Sequence, residues 1–243
     1  MCLCLGANWS PEDLMYDFIR KSELFSWWDA GFCDKESWYL KGIQDAFVVS
    51  QLRASSGLRI CEIGGGNSRV LRQLASKNTC VNVDKFEGSG NGPQVIDVIP
   101  GVEIVRSYMG EFDSALEDAS FDVVFSISVL EHIPDDSLGD CFADMARILK
   151  PGGRMLHAID LYVHEKPREV SRVNAYRRHA ENPELGLDWM EEPAIGKLVR
   201  FHCDFATNSD QQLANWNRIN SGLRAVREVT QNCSIKMGMV KAG

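Results

Sequence analysis

Between residues 57 and 160 short apolar runs alternate with stretches of helical period, and this alternation limits the fold more than any other feature of the chain. The spacing predicts strands at Leu58–Ile63, Cys80–Asp84, Val102–Arg106, Phe121–Ile127 and Arg154–Asp160, with a helix over Asn67–Ala75. Phe121–Ile127 is apolar nearly throughout, the pattern of a strand buried on both faces. After it, Leu138, Cys141, Phe142, Met145, Ile148 and Leu149 mark one face of a helix. Lys150-Pro151-Gly152-Gly153 is expected to stop that helix, because a cation suits the negative helix end and Pro and Gly do not continue it. Strands separated by helices pair through right-handed crossovers. The expectation is therefore an α/β fold with a mostly parallel sheet and helices on both faces.

The flanking zones are less regular. Ser10-Pro11-Glu12-Asp13 has the form of a helix start, and Leu40, Ile43 and Phe47 place a second helix from about Lys35. Residues 1–56 are thus expected as an N-terminal helical cap ahead of a domain over 57–243. Trp9, Trp27, Trp28 and Trp38 are read as packing between these helices rather than as a cover over a ligand. Residues 161–209 read as an insert with a helix near Glu169–Ala180. A helix at Asp210–Ser221 precedes two closing strands, Leu223–Val229 and Ser234–Val240, which have no helix between them and so form an antiparallel pair.

Composition narrows the partners. Lys and Arg number 26 against 34 Asp and Glu, a net charge of −8, so the molecule as a whole repels nucleic acid and anionic surfaces. The eight cysteines are scattered without zinc-ligand spacing, which points to reduced structural thiols and no metal site. The start lacks a cationic leader and no apolar stretch approaches 18 residues, so the expected location is the cytoplasm.

The chemistry concentrates at two strand ends. Arg59–Ser68 reads as a strand opening into Gly64-Gly65-Gly66 and then a helix, and the carboxyl ends of strands are where open α/β sheets bind ligands. A dinucleotide fingerprint counted from Gly64 would need glycine at Arg69. Glu62 would also face the pyrophosphate, where two unit charges about 4 Å apart repel by about 4 kcal/mol at an effective dielectric of about 20. No Gly-Lys-Ser/Thr follows the turn, so a P-loop is excluded as well. Asp84 ends the next strand, one helix and one strand after Glu62, where a carboxylate accepts both hydroxyls of a ribose. An acidic rim suits a cationic nucleoside.

Glu62-Ile63-Gly64-Gly65-Gly66-Asn67-Ser68, Val83-Asp84, the Ser120–Ile133 segment and Arg147–Gly153 together resemble the successive motifs of class I methyltransferases that use S-adenosylmethionine, over about residues 57–160. The resemblance implies a Rossmann-like, seven-stranded sheet of order 3-2-1-4-5-7-6 with the seventh strand antiparallel. It implies that Gly64, Gly65 and Gly66 face the methionine part of the cofactor, Asp84 the ribose and Lys85 the adenosine. Gly110 and Glu111 would lie near the adenine, with Asp113 as an alternative. Glu62, Asn67, Ser68, Ser126 and Ile127 complete the expected cofactor set. Ser68 stands where many members have a further glycine, a departure that a capping residue absorbs. For the base that serves an acceptor hydroxyl, His132, Asp160 and His164 are the candidates, while His157 inside its strand reads as a core residue.

Leu156–His164 and Asn215–Asn220 are also similar to a bacterial subgroup associated with sugars and surface-polysaccharide precursors. Tyr176, Arg177, Arg178 and His179 are then either a grip for an anionic sugar or charges on an exposed helix. The expected function is methyl transfer to an oxygen, or else a nitrogen, of a small molecule or glycan precursor. A non-catalytic cofactor-binding protein and an RNA or protein methyltransferase are the alternatives.

Overall fold

A computed structural model describes residues 15–32, 40–88, 93–164, 168–169, 171–193, 195, 200–201 and 230–243. In chain order the elements are β1 (Tyr16–Phe18), α1 (Lys21–Asp29), α2 (Leu40–Leu52), β2 (Arg59–Ile63), α3 (Arg69–Leu74), β3 (Thr79–Val83), β4 (Val102–Val105) and β5 (Phe121–Ile127). They continue with α4 (Leu138–Ile148), β6 (Leu149–His164), β7 (Arg168–Glu169), α5 (Ser171–Ala180), β8 (Leu187–Trp189), β9 (Arg200–Phe201) and β10 (Thr230–Lys241).

The central sheet runs β4-β3-β2-β5-β6-β10, parallel except for β10. Its two faces bury different sets of side chains. Ile60, Val123, Phe125, Leu156 and Ala158 pack under α2 and α3, whereas Cys61, Ile63, Val124, Met155 and Ile159 pack under α4 and α5. α3 begins where Ser68 Oγ accepts the Leu71 N–H at 2.9 Å, the N-cap contact that satisfies a free helix-end donor. Arg69, the residue that breaks the dinucleotide fingerprint, grips Asp45 of α2 through two hydrogen bonds of 2.6 and 2.9 Å and ties the two helices together.

The class of fold is the expected α/β one, and its outer edge differs from the expectation. The order 3-2-1-4-5-7 is present with β10 antiparallel, but the place beyond β10 is shared by β1 and β8 among the described residues. Residues 1–56 were expected as helices alone, yet Tyr16–Phe18 is a strand of the central sheet. Tyr16 and Phe18 are apolar around Asp17, and a period of two over three residues is too short to stand out in sequence. The helix start at Ser10 and the elements expected at Asp210–Ser221 and Leu223–Val229 lie outside the described residues. α4 ends at Ile148, one residue short of the expectation, because Leu149 already pairs with Phe121. The Pro151-Gly152-Gly153 segment then takes up a register shift before Arg154 meets Val123.

The insert supplies α5 near its expected place. Trp27 of α1 packs on Phe47 of α2 with ring centroids 6.4 Å apart, so this Trp acts in helix packing; Trp9 and Trp38 fall outside the described residues. Cys61, Cys80 and Cys141 are buried free thiols. Among the described residues no helix is long and apolar enough to cross a membrane.

Candidate active site

The carboxyl ends of β2, β3 and β5 lie side by side, and β6 runs past them. Gly64 and Gly66 follow β2 with φ of +60° and +50°, a backbone shape that glycine adopts without strain. The absent side chains make room for the protein itself. A Cβ on Gly64 would strike Val129 at 2.7 Å, one on Gly65 would strike Asn82 and Glu62 at 2.7 and 2.8 Å, and one on Gly66 would strike Pro93 at 2.9 Å. The other side of this turn is open, with Gly64 exposed and Gly65 half-buried.

Asp84 stands next to that open backbone. Its Oδ2 accepts the Gly66 N–H at 2.9 Å and its Oδ1 the Phe86 N–H at 2.6 Å. A carboxylate has about four acceptor positions, so two remain for a ligand. Asn82, below it, donates to the Gly66 carbonyl at 2.8 Å and fixes the turn from the other side.

Glu62 does not form the expected acidic rim. It is buried beneath the glycine turn and accepts a hydrogen bond from Ser68 Oγ. Burial, with lesser contributions from the charges of Asp45 and Asp84, pushes its pKa up to about 8, so it holds a proton at neutral pH. The electrostatic objection to a pyrophosphate therefore weakens, and Arg69 remains as the departure from a dinucleotide fingerprint.

Three other expected cofactor residues have partners within the protein. Ser126 is fully buried with Oγ 2.7 Å from His157 Nδ1. Asn67 Oδ1 accepts the Asp97 N–H at 2.9 Å. Gly110, at φ +105°, gives its N–H to the buried Asp144 at 2.8 Å, and a Cβ there would lie 3.0 Å from the Cys141 nitrogen, so it serves packing on α4. Ile127 is half-buried at the end of β5. Asp113 Oδ1 accepts the Ala115 N–H at 2.9 Å. Lys85 and Glu111 meet at 3.1 Å, and the Lys85 ammonium stands 5.1 Å from the centre of the half-exposed Tyr108 ring. The Tyr108 N–H and Lys85 hold Glu111 below the usual carboxylate range.

On the acceptor side the candidates separate. Asp160 Oδ1 accepts hydrogen bonds from Gln44 Nε2 at 2.5 Å and Ser128 Oγ at 2.8 Å, and Gln44 also donates to Ser234 Oγ. His132 lies in a tight turn at Leu130–His132 with its ring largely exposed. His164 ends β6, and its side chain is outside the described residues. His157 is a core residue, as its place in the strand implies, and burial pulls its pKa down to about 3.

Sequence reasoning missed Gln44, Ser128 and Glu131. Gln44 occupies the buried face of α2 among Phe47, Val48 and Leu52, so a lone polar residue on an apolar face was the available signal. Ser128 adopts φ +52°, for which sequence gives no sign. Glu131 lies four residues past the end of β5, and its carboxyl is buried, which a Glu beside a His does not reveal. In the basic cluster of the insert Arg178 is exposed, while its neighbours have partners in the protein. Arg177 bonds Glu181 and the Ile195 carbonyl, Tyr176 is buried, and His179 stacks on Phe142 at 5.9 Å.

Comparison with known proteins agrees with this topology. Residues 61–157 match the family model described as a methyltransferase domain. The chain is 37% identical over 120 residues to the ubiquinone biosynthesis O-methyltransferase of Maricaulis maris, a match covering 48% of this chain and 46% of that protein. It spans about half the length of the curated relatives it matches. Among solved structures, geranyl diphosphate C-methyltransferase from Streptomyces coelicolor, in complex with Mg2+, geranyl diphosphate and S-adenosyl-L-homocysteine, superposes with a TM-score of 0.52 at 14% identity. That superposition covers 82% of this chain and 76% of the other. A phosphoethanolamine N-methyltransferase from Haemonchus contortus, bound to phosphomonomethylethanolamine and S-adenosylhomocysteine, gives 0.50 at 18% identity, covering 82% and 52%. At these identities the two structures speak for the fold. The motif series, the sheet order and the glycine turn between β2 and α3 lie within or beside the residues 61–157 that match the methyltransferase-domain model.

Proposed function

We propose that this chain transfers a methyl group from S-adenosylmethionine to an oxygen of a small molecule. The observation that carries the reading is Asp84, with two acceptor positions left over, beside the exposed Gly64 and half-buried Gly65 at the carboxyl edge of the sheet. These residues fit the cofactor. Asp84 would accept its ribose hydroxyls, the Gly64-Gly65 backbone would lie along its amino-acid part, and Lys85, Glu111 and Tyr108 would flank its adenosine. When bound, S-adenosylmethionine supplies a methyl group made electrophilic by its sulfonium. The protein contributes position, holding the acceptor oxygen in line with that carbon, and a group to receive the hydroxyl proton.

Oxygen as the acceptor atom is supported by the Maricaulis maris relative, which is named an O-methyltransferase. A sugar phosphate has less support than it had in sequence, since of the Arg177-Arg178 pair Arg177 is engaged by Glu181 and the Ile195 carbonyl. The net charge of −8 speaks against RNA. Calorimetric titration with S-adenosylhomocysteine, followed by a labelled-methyl transfer screen over fractionated cell extract, tests the proposal. No heat of binding to folded protein would overturn it, and binding without transfer would leave a cofactor-binding protein.

A further inference from the structure

Resting on the methyl-transfer reading, we propose that Glu131 is the group that meets the acceptor and takes its hydroxyl proton, and that the acceptor is uncharged or cationic at its reacting end. Glu131 lies just past β5 in the Leu130–His132 turn, at the same sheet edge as Asp84 and Asp160. Its side chain is only 14% exposed, and among the described residues neither carboxyl oxygen has a hydrogen-bond partner. The N–H groups of Glu131 and Asp160 face it without closing a bond. A buried carboxyl left in this condition is costly unless something outside the protein completes it, and a donating hydroxyl at the sheet edge does so.

The surroundings define what that partner is. Asp160 of β6 faces Glu131 and is itself held in place by Gln44 and Ser128. Lys41 of α2 attracts the ionised form, and His132 Nε2 lies 3.9 Å from Oε1. From α5, Tyr176 faces both acids, and Arg172 is committed to the Leu130 and Ile133 carbonyls, Asp135 and the Tyr176 hydroxyl. With Arg172 so engaged and Glu131 ionised as the step requires, two carboxylates stand against Lys41, and an anionic group at the reacting end is repelled. Burial first and the charge of Asp160 second push Glu131 up to about 8, so its ionised form, the one that accepts a proton, is a minor share at neutral pH and grows as pH rises through that value.

In the step, the acceptor's O–H bond breaks and its proton passes to the Glu131 carboxylate. The acceptor oxygen forms the new bond to the methyl carbon as the carbon–sulfur bond breaks, and that electron pair stays on sulfur. Charge balances, since one anion and one sulfonium become two neutral groups.

The test compares wild type with Glu131→Gln and Glu131→Asp. All three are titrated with S-adenosylhomocysteine, and labelled-methyl transfer is measured to a phenol, an amino alcohol and a phosphorylated sugar. The expected result is equal binding by all three proteins. Transfer to the phenol or the amino alcohol should fall about 100-fold or more in Glu131→Gln and be partly retained in Glu131→Asp. The wild-type rate should rise through about pH 8, and carbon-13 NMR of labelled Glu in the cofactor-free protein should show two carboxyls titrating near that value, Glu62 and Glu131, of which the Glu131 signal is missing from Glu131→Gln. Equal transfer by Glu131→Gln, preference for the phosphorylated sugar, no transfer to any of the three, or a Glu131 carboxyl titrating in the ordinary range each overturns the assignment alone. Failure of wild type to bind S-adenosylhomocysteine removes the methyl-transfer reading and the assignment with it.

Discussion

Tyr16 on β1 donates its hydroxyl hydrogen to the Val173 carbonyl of α5. Its own carbonyl accepts the Ile195 N–H at 3.0 Å, and its ring packs on Trp189 with centroids 5.0 Å apart. Arg172, the neighbour of Val173, reaches the Leu130 and Ile133 carbonyls on either side of Glu131 and His132. A strand remote in sequence thus holds the helix that holds the turn beside the candidate site.

Tyr16→Phe keeps the ring and removes the donor. The buried Val173 carbonyl then lacks its partner, and the expected cost is about 1–3 kcal/mol. Denaturant unfolding checks the magnitude. Hydrogen exchange over residues 171–180 should quicken, and unchanged exchange there would refute the link between β1 and α5.

Asp84→Ala should weaken S-adenosylhomocysteine binding by about 1–3 kcal/mol, through loss of charged hydrogen bonds to the ligand and of the bonds to Gly66 and Phe86. Asp84→Asn, which retains an acceptor, should lose less. Calorimetry reads both, and an Ala variant that binds like wild type would remove Asp84 from the site.

Glu62 gives a pH signature. Its folded pKa of about 8 lies above its ordinary value of 4.5, so the folded state holds the extra proton between those limits. This contribution to stability is complete below about pH 4.5 and is lost as pH rises toward 8. Glu62→Gln carries no such proton. Relative to that variant the wild type should lose stability from about pH 5 to 8, by at most about 1.4 kcal/mol per pH unit. Urea melts at several pH values check the slope, and a constant difference would show that the carboxyl titrates normally.

Lys236 of β10 and Glu23 of α1 form a buried ion pair, with 2% and 6% of their side chains exposed. Lys236→Met strands the Glu23 carboxyl and should cost about 3–5 kcal/mol. The double variant with Glu23→Gln should recover most of that loss. Thermal unfolding of the two variants separates the pair from simple loss of packing.

Legibility from sequence followed the reach of the interactions. β2, β3, β5, α3 and α4 are specified by local periodicity, and Ser68 by its place before a helix, so these were readable. β1 owes its existence to pairing with residues 235–237, more than two hundred positions away, and three residues carry no periodic signal of their own. At the site, the glycine turn and Asp84 were legible because one backbone shape and one strand end dictate them. The inward turn of Glu62 and Ser126, and the isolation of the Glu131 carboxyl, depend on which neighbours the fold brings over them. Residue type does not encode that.

Among the described residues β1 joins the central sheet through β10 alone, so Tyr16–Phe18 wait for residues 235–237, more than two hundred positions later in the chain. Until Ile235, Lys236 and Met237 are available, Tyr16 and Glu23 lack the backbone and side-chain partners they meet in the folded chain. The clasp on α5 therefore depends on a contact of long sequence separation and closes later than the local pairing of β2 with β3 beside Asp84.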